Sequence, residues 1–452
     1  MSAYSYNMVP RDVPKVNTKF RRIATKIPVP ESIPILEVLK RCEPISMTGQ
    51  PPVVWDRAEG FQVFDRWGNM WLDWSSGVLV ANCGHGRDEV RRSIVEQVEH
   101  GLLHNYCFPS EVRAKLVEKL VQISPKGLDK VFLLTTGSET IENAIKLART
   151  YGRRKSQKKI GVVSFTNAFH GRTLGAQMAG GIPQLKDWIG AFPPGFYQVP
   201  FPDGFRCKDQ SFSLFLETLR KLGIDGSDIA CVLMESYLGG GASFPPKEYV
   251  QELSEWCRRN EVVLIFDEVQ AGFGRTGKLF GFEHFGVTPD IMCCGKGITS
   301  SLPMSAVIGR KELMDLYGPG EMTSTHTGNP VCAAAALSSI ELIEREGLVE
   351  NSRRVGEILH KELREIRERH DFIGAVHGKG LVAGLHIVKE DGYEPDKERA
   401  FKIVERSMEK GLLFFSPVGY GGATIKICPP LNINESAVMD GIEALEEAMR
   451  ES

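Results

Sequence analysis

The sequence predicts an α/β protein whose main sheet is mostly parallel. From Val131 onward, short apolar runs rich in β-branched residues alternate with longer stretches of helical periodicity. Uninterrupted apolar runs of this kind are typical of strands that helices cover on both faces. After about residue 345 the chain becomes strongly charged and helical, and strand-like pieces follow. This change indicates a second, smaller α/β domain.

Six apolar runs are the predicted strands of the main sheet. The proline-rich first fifty residues predict an arm, and Gly60–Trp74 predicts a hairpin with a Gly-Asn turn. We expect three parts: residues 1–75 as the arm and part of the small domain, 76–345 as the large domain, and 346–452 as the rest of the small domain. The predicted strands are Val131–Leu134, Gly161–Phe165, Ile229–Met234, Val262–Phe266, Ile291–Cys294 and Ser305–Ile308, with Leu381–Ile387 and Thr424–Cys428 in the small domain, and the predicted helices include Asp88–His100, Glu139–Arg153, Pro246–Arg259 and Leu348–Glu368.

The composition argues against several classes of function. The formal net charge of −2 provides no global field that would favour nucleic acid or an anionic membrane. No apolar run is long enough to span a membrane, and the first residues lack the apolar segment of a signal peptide. Ten scattered cysteines without a C-x-x-C pair argue against a zinc site or a disulfide framework. We therefore expect a cytoplasmic protein with reduced thiols and no metal.

A possible phosphate site lies in Thr135–Thr140, between a predicted strand and a predicted helix. Gly137 and Ser138 at the helix N-terminus would expose backbone N–H groups and a hydroxyl, which together suit an anion. The same pair would also make an ordinary helix cap. This segment alone leaves both interpretations open.

An acidic residue and a lysine stand at the ends of two other predicted strands. Asp267 ends a buried strand, where the ligands of open α/β sheets bind. Lys296 lies between Gly295 and Gly297, and its small neighbours leave room for a large molecule to approach the amine. A lysine in a surface turn is the alternative.

The cluster Gly272–Gly277 matches the G-x-G-x-x-G pattern of dinucleotide-binding loops. We reject that interpretation because no helix start follows the cluster and no acidic residue lies at the usual offset of about 20 residues. The glycines instead predict a tight, closely packed loop.

The loop Asn167–Thr173 contains Phe169, whose ring could face a flat cofactor or could belong to the core. The chain thus places a phosphate cup, an aromatic loop, a strand-end Asp267 and a glycine-flanked Lys296 in the order of a site for pyridoxal phosphate (PLP). With these residues it resembles the class III (ω-type) aminotransferases of fold type I. The resemblance covers nearly the whole chain. Its most specific stretch is Asp267–Gln270 with Gly272–Gly277, and further matches are Asp65-x-x-Gly68-Asn69, Asn82-x-Gly84-His85, Glu235 with Gly239, and Thr325–Pro330.

The resemblance implies a large domain with a mostly parallel seven-stranded sheet, PLP as the cofactor, and a ping-pong transfer of an amino group. It implies that Lys296 would bind PLP covalently and carry a proton, and that Asp267 would pair with the pyridine nitrogen. It also implies a homodimer with shared active sites, with a dimer of dimers as the alternative. The other residues implied to hold the cofactor are Gly137 and Ser138 at the phosphate, Phe169 and Val269 on the ring faces, Gln270 at the ring oxygen, His170 and Glu235 beside them, and Thr325 from the neighbouring subunit, with Thr327 less favoured.

Two departures from the family pattern bear on the substrate. Family members that use glutamate often have a second Glu where this chain has Gly240, and an Arg where it has Lys426. A lysine is a point charge that lacks the bidentate fork of arginine. The resemblance therefore implies an amine or a β- or ω-amino acid as donor and a 2-oxo acid, pyruvate or 2-oxoglutarate, as acceptor. Candidates for an apolar substrate wall, each of which could instead be core, are Val78, Leu79, Tyr106 and Phe108.

Three other functions are alternatives to transamination. A PLP-dependent racemase or epimerase would use the same Lys296 and Asp267, so these residues cannot separate the two reactions. A dehydrogenase fails on the context of its glycine cluster. A non-catalytic protein would leave Lys296 dispensable. Transamination is the leading prediction, with racemisation as the alternative.

Overall fold

The computed structural model describes residues 5–452, which divide into two compact units. The terminal unit contains residues 5–87, Gly240–Ala242 and Glu350–Ser452, and the sheet unit contains Asp88–Gly239 and Ser243–Val349. The sequence predicted the first boundary at residue 75. The segment up to Arg87 stays with the terminal unit because Gly60 and His85 exchange two backbone hydrogen bonds of 2.8 and 2.7 Å.

The elements of the described residues are numbered in chain order. The strands are β1 (Val16–Asn17), β2 (Arg22–Ile23), β3 (Arg57–Glu59), β4 (Gln62–Phe64), β5 (Met70–Asp73), β6 (Lys130–Leu134), β7 (Gly161–Phe165), β8 (Phe196–Val199), β9 (Ile229–Glu235), β10 (Val263–Asp267), β11 (Ile291–Cys294), β12 (Ser305–Gly309), β13 (Ile373–Lys379), β14 (Val382–Ile387), β15 (Leu412–Leu413) and β16 (Thr424–Ile427). The helices are α1 (Ile33–Cys42), α2 (Ser76–Leu79), α3 (Asp88–Glu99), α4 (Glu111–Ile123), α5 (Gly137–Lys155), α6 (Leu174–Ala179), α7 (Phe212–Lys221), α8 (Lys247–Arg259), α9 (Lys311–Met314), α10 (Pro330–Arg345), α11 (Leu348–Arg369), α12 (Lys397–Glu409) and α13 (Glu435–Arg450). Single 3-10 turns lie at Pro30–Ser32, Ile45–Met47, Pro183–Leu185, Asp187–Ile189, Gly281–Phe285, Lys296–Ile298 and Tyr420–Gly422.

The sheet unit is built on one seven-stranded sheet with the strand order β6-β12-β11-β10-β9-β7-β8. Every neighbouring pair is parallel except the two that involve β12, which runs antiparallel to β11 and β6. Strands β7, β9, β10 and β11 are buried along their whole length, as uninterrupted apolar runs predict. The predicted mostly parallel sheet is confirmed.

Helix α5 carries the first functional segment and lies against the centre of this sheet. Its apolar positions recur every three or four residues, and Ile141, Ala144 and Ala148 have no exposed surface. They share one buried cluster with Ile265 of β10 and Cys293 of β11. The packing therefore holds the N-terminus of α5 in place relative to those two strands.

The six strands predicted from apolar runs are present, with ends that differ by at most one residue, whereas the seventh was not found in the sequence. Strand β8 is an edge strand, and three of its four residues are only half-buried. Its residues Phe-Tyr-Gln-Val are followed directly by proline, so it has neither a long apolar run nor a clean alternation.

The terminal unit contains two smaller sheets and the helices α11, α12 and α13. One sheet has the order β1-β2-β5-β4-β3 with β15 beside β5, and the other is the antiparallel β13-β14-β16. The predicted hairpin is β4 and β5, and Asp65 holds its turn by accepting the N–H groups of Trp67 and Asn69 at 2.9 Å. The predicted arm also contains β1, β2 and α1. Within residues 5–452, no helix is long and apolar enough to cross a membrane.

Candidate active site

The candidate site lies where three neighbouring strands of the sheet unit end. Strands β9, β10 and β11 are parallel, so their carboxyl ends meet at one edge of the sheet. The register places Asp267 beside Glu235 on one side and beside Cys293 on the other. Lys296 follows β11 by two residues. The strand-end acid and the glycine-flanked lysine predicted from sequence therefore come from adjacent strands.

Asp267 is held in one orientation by two donors. The Nδ1 atom of His170 lies 2.8 Å from Oδ2 of Asp267, and the backbone N–H of Val269 donates to Oδ1 at 3.0 Å. A carboxylate only accepts, so Nδ1 of His170 carries the proton. The side chain of His170 is fully buried. Each oxygen of Asp267 keeps a further acceptor position that can receive a ring N–H.

Glu235 is the second buried carboxyl group at this edge, with 4% of the residue exposed. Its oxygens accept the backbone N–H groups of Phe169 at 3.0 Å and Gly239 at 2.9 Å. Burial raises the pKa of Glu235, the nearby His170 lowers it, and Asp267 raises it further. Glu235 thereby fixes the loop that carries Phe169.

Lys296 is half-buried and has a φ of 38°, a backbone conformation that residues with a side chain rarely adopt. Both of its neighbours are glycines, and a Cβ at Gly295 would approach Cγ1 of Val269 to 3.3 Å. The two glycines bring no side chain of their own next to Lys296.

The N-terminus of α5 is the candidate anion site. Its capping box uses Glu139, whose Oε2 accepts the N–H groups of Thr135 and Thr136 at 2.9 and 2.8 Å, while Thr136 accepts the N–H of Glu139 at 3.3 Å. In the part of the chain that the structure describes, the N–H groups of Gly137 and Ser138 have no protein acceptor. Free N–H groups at a helix N-terminus bind phosphate.

Two glycines allow close approaches among the candidate residues for the cofactor. A Cβ at Gly137 would lie 2.9 Å from Cγ1 of Val269, so the phosphate candidate contacts the ring candidate. A Cβ at Gly239 would lie 2.2 Å from Nε2 of Gln270. Phe169 is half-buried, and the guanidinium of Arg172 lies 5.6 Å from its ring centre.

The two threonines of the segment Thr325–Pro330 differ in their surroundings. The hydroxyl of Thr327 is buried and donates to the carbonyl of Leu133 at 2.6 Å. Thr325 is exposed. Of the two, Thr325 is thus the one whose hydroxyl can reach another molecule.

The candidate substrate residues belong to different units. Val78, Leu79 and Lys426 lie in the terminal unit, where Val78 is 46% exposed, Leu79 is 2% exposed and Lys426 is 1% exposed. Tyr106 and Phe108 lie in the sheet unit and are 38% and 73% exposed, and the hydroxyl of Tyr106 donates to Thr323 at 3.1 Å.

Two sets of contacts that support the candidate site were not predicted from the sequence. The capping box of Thr136 and Glu139 has the spacing T-x-x-E, which would have revealed it. Glu268 is fully buried and accepts the N–H groups of Gly281 at 2.7 Å and Phe282 at 3.0 Å, together with the hydroxyl of Ser236. It ties the end of β10 to the loop after the glycine cluster, a long-range contact without a local signal.

Comparison with known proteins decides the family, because the class III aminotransferase family model matches residues 45–449. The chain belongs to the class III aminotransferases. A probable 4-aminobutyrate aminotransferase of Bacillus subtilis is 35% identical over 87% of this chain and 92% of its own. An alanine/serine racemase of Pyrococcus horikoshii is 33% identical over 99% and 96%. A PLP-bound amine transaminase from an uncultivated Pseudomonas species is 28% identical, with a TM-score of 0.81 over 88% of this chain and 95% of that one.

This class III aminotransferase uses PLP and transfers amino groups. The residues of the sheet unit fit the cofactor: backbone N–H donors for a phosphate at Gly137 and Ser138, an oriented carboxylate at Asp267 and a half-buried lysine at Lys296. All of these residues belong to the sheet unit.

Replacing Glu268 by Gln is expected to change how stability depends on pH. Burial raises the pKa of Glu268 from 4.5 to about 7, so the folded protein favours its protonated form. The contribution of protonated Glu268 to the stability of the folded protein is complete below pH 4.5 and is lost as the pH rises through 7. The loss amounts to about 3 kcal/mol, from ~1.4 kcal/mol per pKa unit. Glutamine does not titrate and keeps an acceptor for the N–H groups.

The free energy of unfolding of the wild type and Glu268→Gln is compared across this pH window, with the exposed Glu252→Gln as control. We expect the wild type to lose stability relative to Glu268→Gln as the pH rises, and Glu252→Gln to follow the wild type. A difference between wild type and Glu268→Gln that does not vary with pH would contradict the assignment.

Proposed function

We propose that this aminotransferase moves an amino group from an amine or a β- or ω-amino acid to pyruvate or 2-oxoglutarate by a ping-pong cycle, with Lys296 and Asp267 as the catalytic residues. The observation that carries the proposal is the convergence of Asp267, Lys296 and the open N-terminus of α5 at one edge of the sheet. When bound, PLP supplies the electron sink for the negative charge that forms on the substrate carbon.

The protein residues have separate tasks in this cycle. In each half of the cycle, the Nζ atom of Lys296 would move a proton between the substrate carbon and the cofactor carbon. Asp267 accepts the hydrogen bond of the ring N–H, and His170 and Val269 keep its carboxylate in place. Phe169 and Val269 cover the two ring faces, and Gln270 and Glu235 complete the surroundings of the ring.

We propose that a second copy of the chain completes the phosphate site. Gly137 and Ser138 hold the phosphate from one subunit, and Thr325 of the neighbouring subunit reaches it, since the hydroxyl of Thr327 is already engaged. Helix α1 supports an interface between copies. It has no buried residue, and Ile35, Val38 and Leu39 are 37–47% exposed although they recur at helical spacing.

The terminal unit supports a donor other than glutamate. A Cβ at Gly240 would lie 2.8 Å from Cα of Gly419, and a Cβ at Gly419 would lie 2.5 Å from the carbonyl oxygen of Gly240. Backbone therefore occupies the space that a glutamate at position 240 would need. We propose that Lys426 holds the substrate carboxylate as a single cation and that Val78, Leu79, Tyr106 and Phe108 form the apolar wall.

Racemisation is the second candidate because the Pyrococcus horikoshii relative is named a racemase and matches 99% of this chain. Racemisation would exchange the α-proton and lose chirality without any 2-oxo acid. We further propose a cytoplasmic location, for which the ten scattered free cysteines are the support.

Replacing Lys296 by Ala is expected to remove the absorption band of the cofactor–lysine link and to lower activity by about 10²–10⁴-fold or more, because the proton carrier is lost. Absorption spectra are recorded for the wild type, Lys296→Ala and the control Lys278→Ala, which removes an exposed lysine directly after the glycine cluster. Each is given 1-phenylethylamine, β-alanine or ornithine, and then pyruvate or 2-oxoglutarate.

In the wild type and in Lys278→Ala, a donor should bleach the band and an acceptor should restore it. A band that no acceptor restores, together with loss of chirality of an amino acid, would establish the racemase instead. Full cycling in Lys296→Ala would refute the assignment of the catalytic lysine.

Replacing Thr325 by Ala is expected to weaken PLP binding about tenfold to a hundredfold, because a hydrogen bond to a charged group contributes about 1.5–3 kcal/mol. Thr323→Ala, which removes a nearby exposed hydroxyl, should bind PLP as the wild type does. Dissociation constants are measured by titrating the apoprotein with PLP.

Mixed dimers of Lys296→Ala and Thr325→Ala subunits test whether the threonine acts across the interface. If it does, one of the two sites in each mixed dimer combines an intact Lys296 with an intact Thr325, and half of the wild-type activity returns at limiting PLP. If Thr325 served its own subunit, no intact site would form and mixing would restore nothing.

Replacing Lys426 by Ala is expected to raise KM for β-alanine about tenfold to a hundredfold, because a charged hydrogen bond to the carboxylate is lost. The KM for 1-phenylethylamine, which has no carboxylate, should stay unchanged. Lys402→Ala removes an exposed lysine of the same unit and serves as control. An equal increase in KM for both donors would show that Lys426 does not bind the carboxylate.

A further inference from the structure

The segment Ser76–Leu79 has a rare backbone. Its four residues have φ angles of 51°, 54°, 65° and 62°, so helix α2 is one turn of left-handed helix. The N–H of Leu79 donates to the carbonyl of Ser75 at 2.8 Å, and that of Val80 to the carbonyl of Ser76 at 2.9 Å. Only Gly77 adopts such angles readily, and a β-branched residue such as Val78 is an outlier there.

Asp73 accepts buried hydrogen bonds that hold the start of this left-handed turn. Asp73 has no exposed surface and accepts the N–H groups of Ser75 at 2.8 Å and Gly77 at 3.2 Å. Its Oδ2 also lies 2.7 Å from Nε2 of His85. One carboxylate thus ties the turn to the strand before it and to the loop after it.

A second set of contacts ties the turn to the end of β16, the strand that carries Lys426. The hydroxyl of Ser76 donates to the carbonyl of Cys428 at 2.6 Å, and the thiol of Cys428 faces the carbonyl of Ser75 at 3.5 Å. The N–H of Cys428 donates to the carbonyl of Trp74 at 2.8 Å. Cys428 directly follows β16 and lies two residues after Lys426.

The turn leaves one apolar side chain uncovered. Val78 is 46% exposed, whereas Ser76 has no exposed surface and Leu79 has 2%. A strained turn persists where its surroundings determine it completely, and such turns are concentrated at ligand sites. The contacts of Asp73 and Ser76 are those surroundings.

We propose that Ser76 is a positioning residue, which sets the spacing between Val78 and Lys426 through its hydrogen bond to the carbonyl of Cys428. The proposal rests on the proposed roles of Val78 as substrate wall and Lys426 as carboxylate ligand. A donor that engages both, such as an ω-amino acid with a carboxylate, depends on that spacing. A donor without a carboxylate engages only the wall and does not depend on it.

The test compares Ser76→Ala with Ser75→Ala in the holoenzyme, with β-alanine and 1-phenylethylamine as donors and pyruvate as acceptor. Both variants remove one buried hydroxyl of the turn, but only Ser76 reaches the carbonyl after β16. Ser76→Ala should raise KM for β-alanine about tenfold, because a misplaced Lys426 weakens binding only of the donor that uses both contacts. The kcat for β-alanine should stay within about twofold of the wild type. The kcat and KM for 1-phenylethylamine should also stay within about twofold. Ser75→Ala should leave the ratio of the two KM values unchanged.

Equal effects on the two donors in Ser76→Ala would overturn the proposal, because they would mark a merely structural role. If Ser76→Ala does not fold, Gly77→Ala replaces it. A Cβ there has only Cε1 of His85 within 4 Å, at 3.8 Å, so this variant strains the turn without a clash and should shift the same KM ratio. An unchanged ratio in Gly77→Ala would equally overturn the proposal.

The Lys426→Ala variant separates this proposal from the one on which it rests. If Lys426→Ala keeps the wild-type KM for β-alanine, the carboxylate site is wrong and the role of Ser76 falls with it. If Lys426→Ala raises the KM for β-alanine and Ser76→Ala does not, only the positioning role is overturned.

Discussion

The register between β9 and β10 is the constraint on which the site depends. It places two buried carboxyl groups, Glu235 and Asp267, side by side at the edge of the sheet. Two charged carboxylates would repel each other in a region with little water. The pair is accommodated because burial raises the pKa of Glu235, while Asp267 is hydrogen-bonded by His170 and Val269. The sheet thereby presents Asp267 as the carboxylate that is proposed to pair with the ring nitrogen.

The strand-end positions of Asp267 and Lys296 could be predicted because their signals are local. Asp267 ends an apolar run, and Lys296 lies between two glycines, so both could be recognised within a few residues of sequence. The left-handed turn could not, since its hydrogen bonds join residues far apart in the chain: Ser76 and Cys428 are separated by 352 positions. Edge strand β8 and helix α1 were missed for a related reason, because neither buries a continuous apolar face within its own chain.

Val78 and Leu79 show what a local pattern leaves open. The sequence proposed both as substrate wall, yet one is half exposed and its neighbour is buried. Neighbours on a regular strand would point to opposite faces, but here the left-handed backbone decides which side chain is covered. A motif therefore identifies the segment, whereas backbone angles set by distant contacts decide which of its side chains is exposed.

Left-handed backbone occurs at Lys296 and at Ser76–Leu79, and the two segments tolerate it differently. Each non-glycine residue in this conformation costs roughly 1–2 kcal/mol. At Lys296 a single residue between two glycines carries this cost. The turn strains three non-glycine residues, Ser76, Val78 and Leu79, so the buried hydrogen bonds that Asp73 accepts and that Ser76 donates must offset a larger cost. The turn therefore depends on contacts between residues far apart in the chain, and substitutions near Cys428 can disturb it as much as substitutions within it.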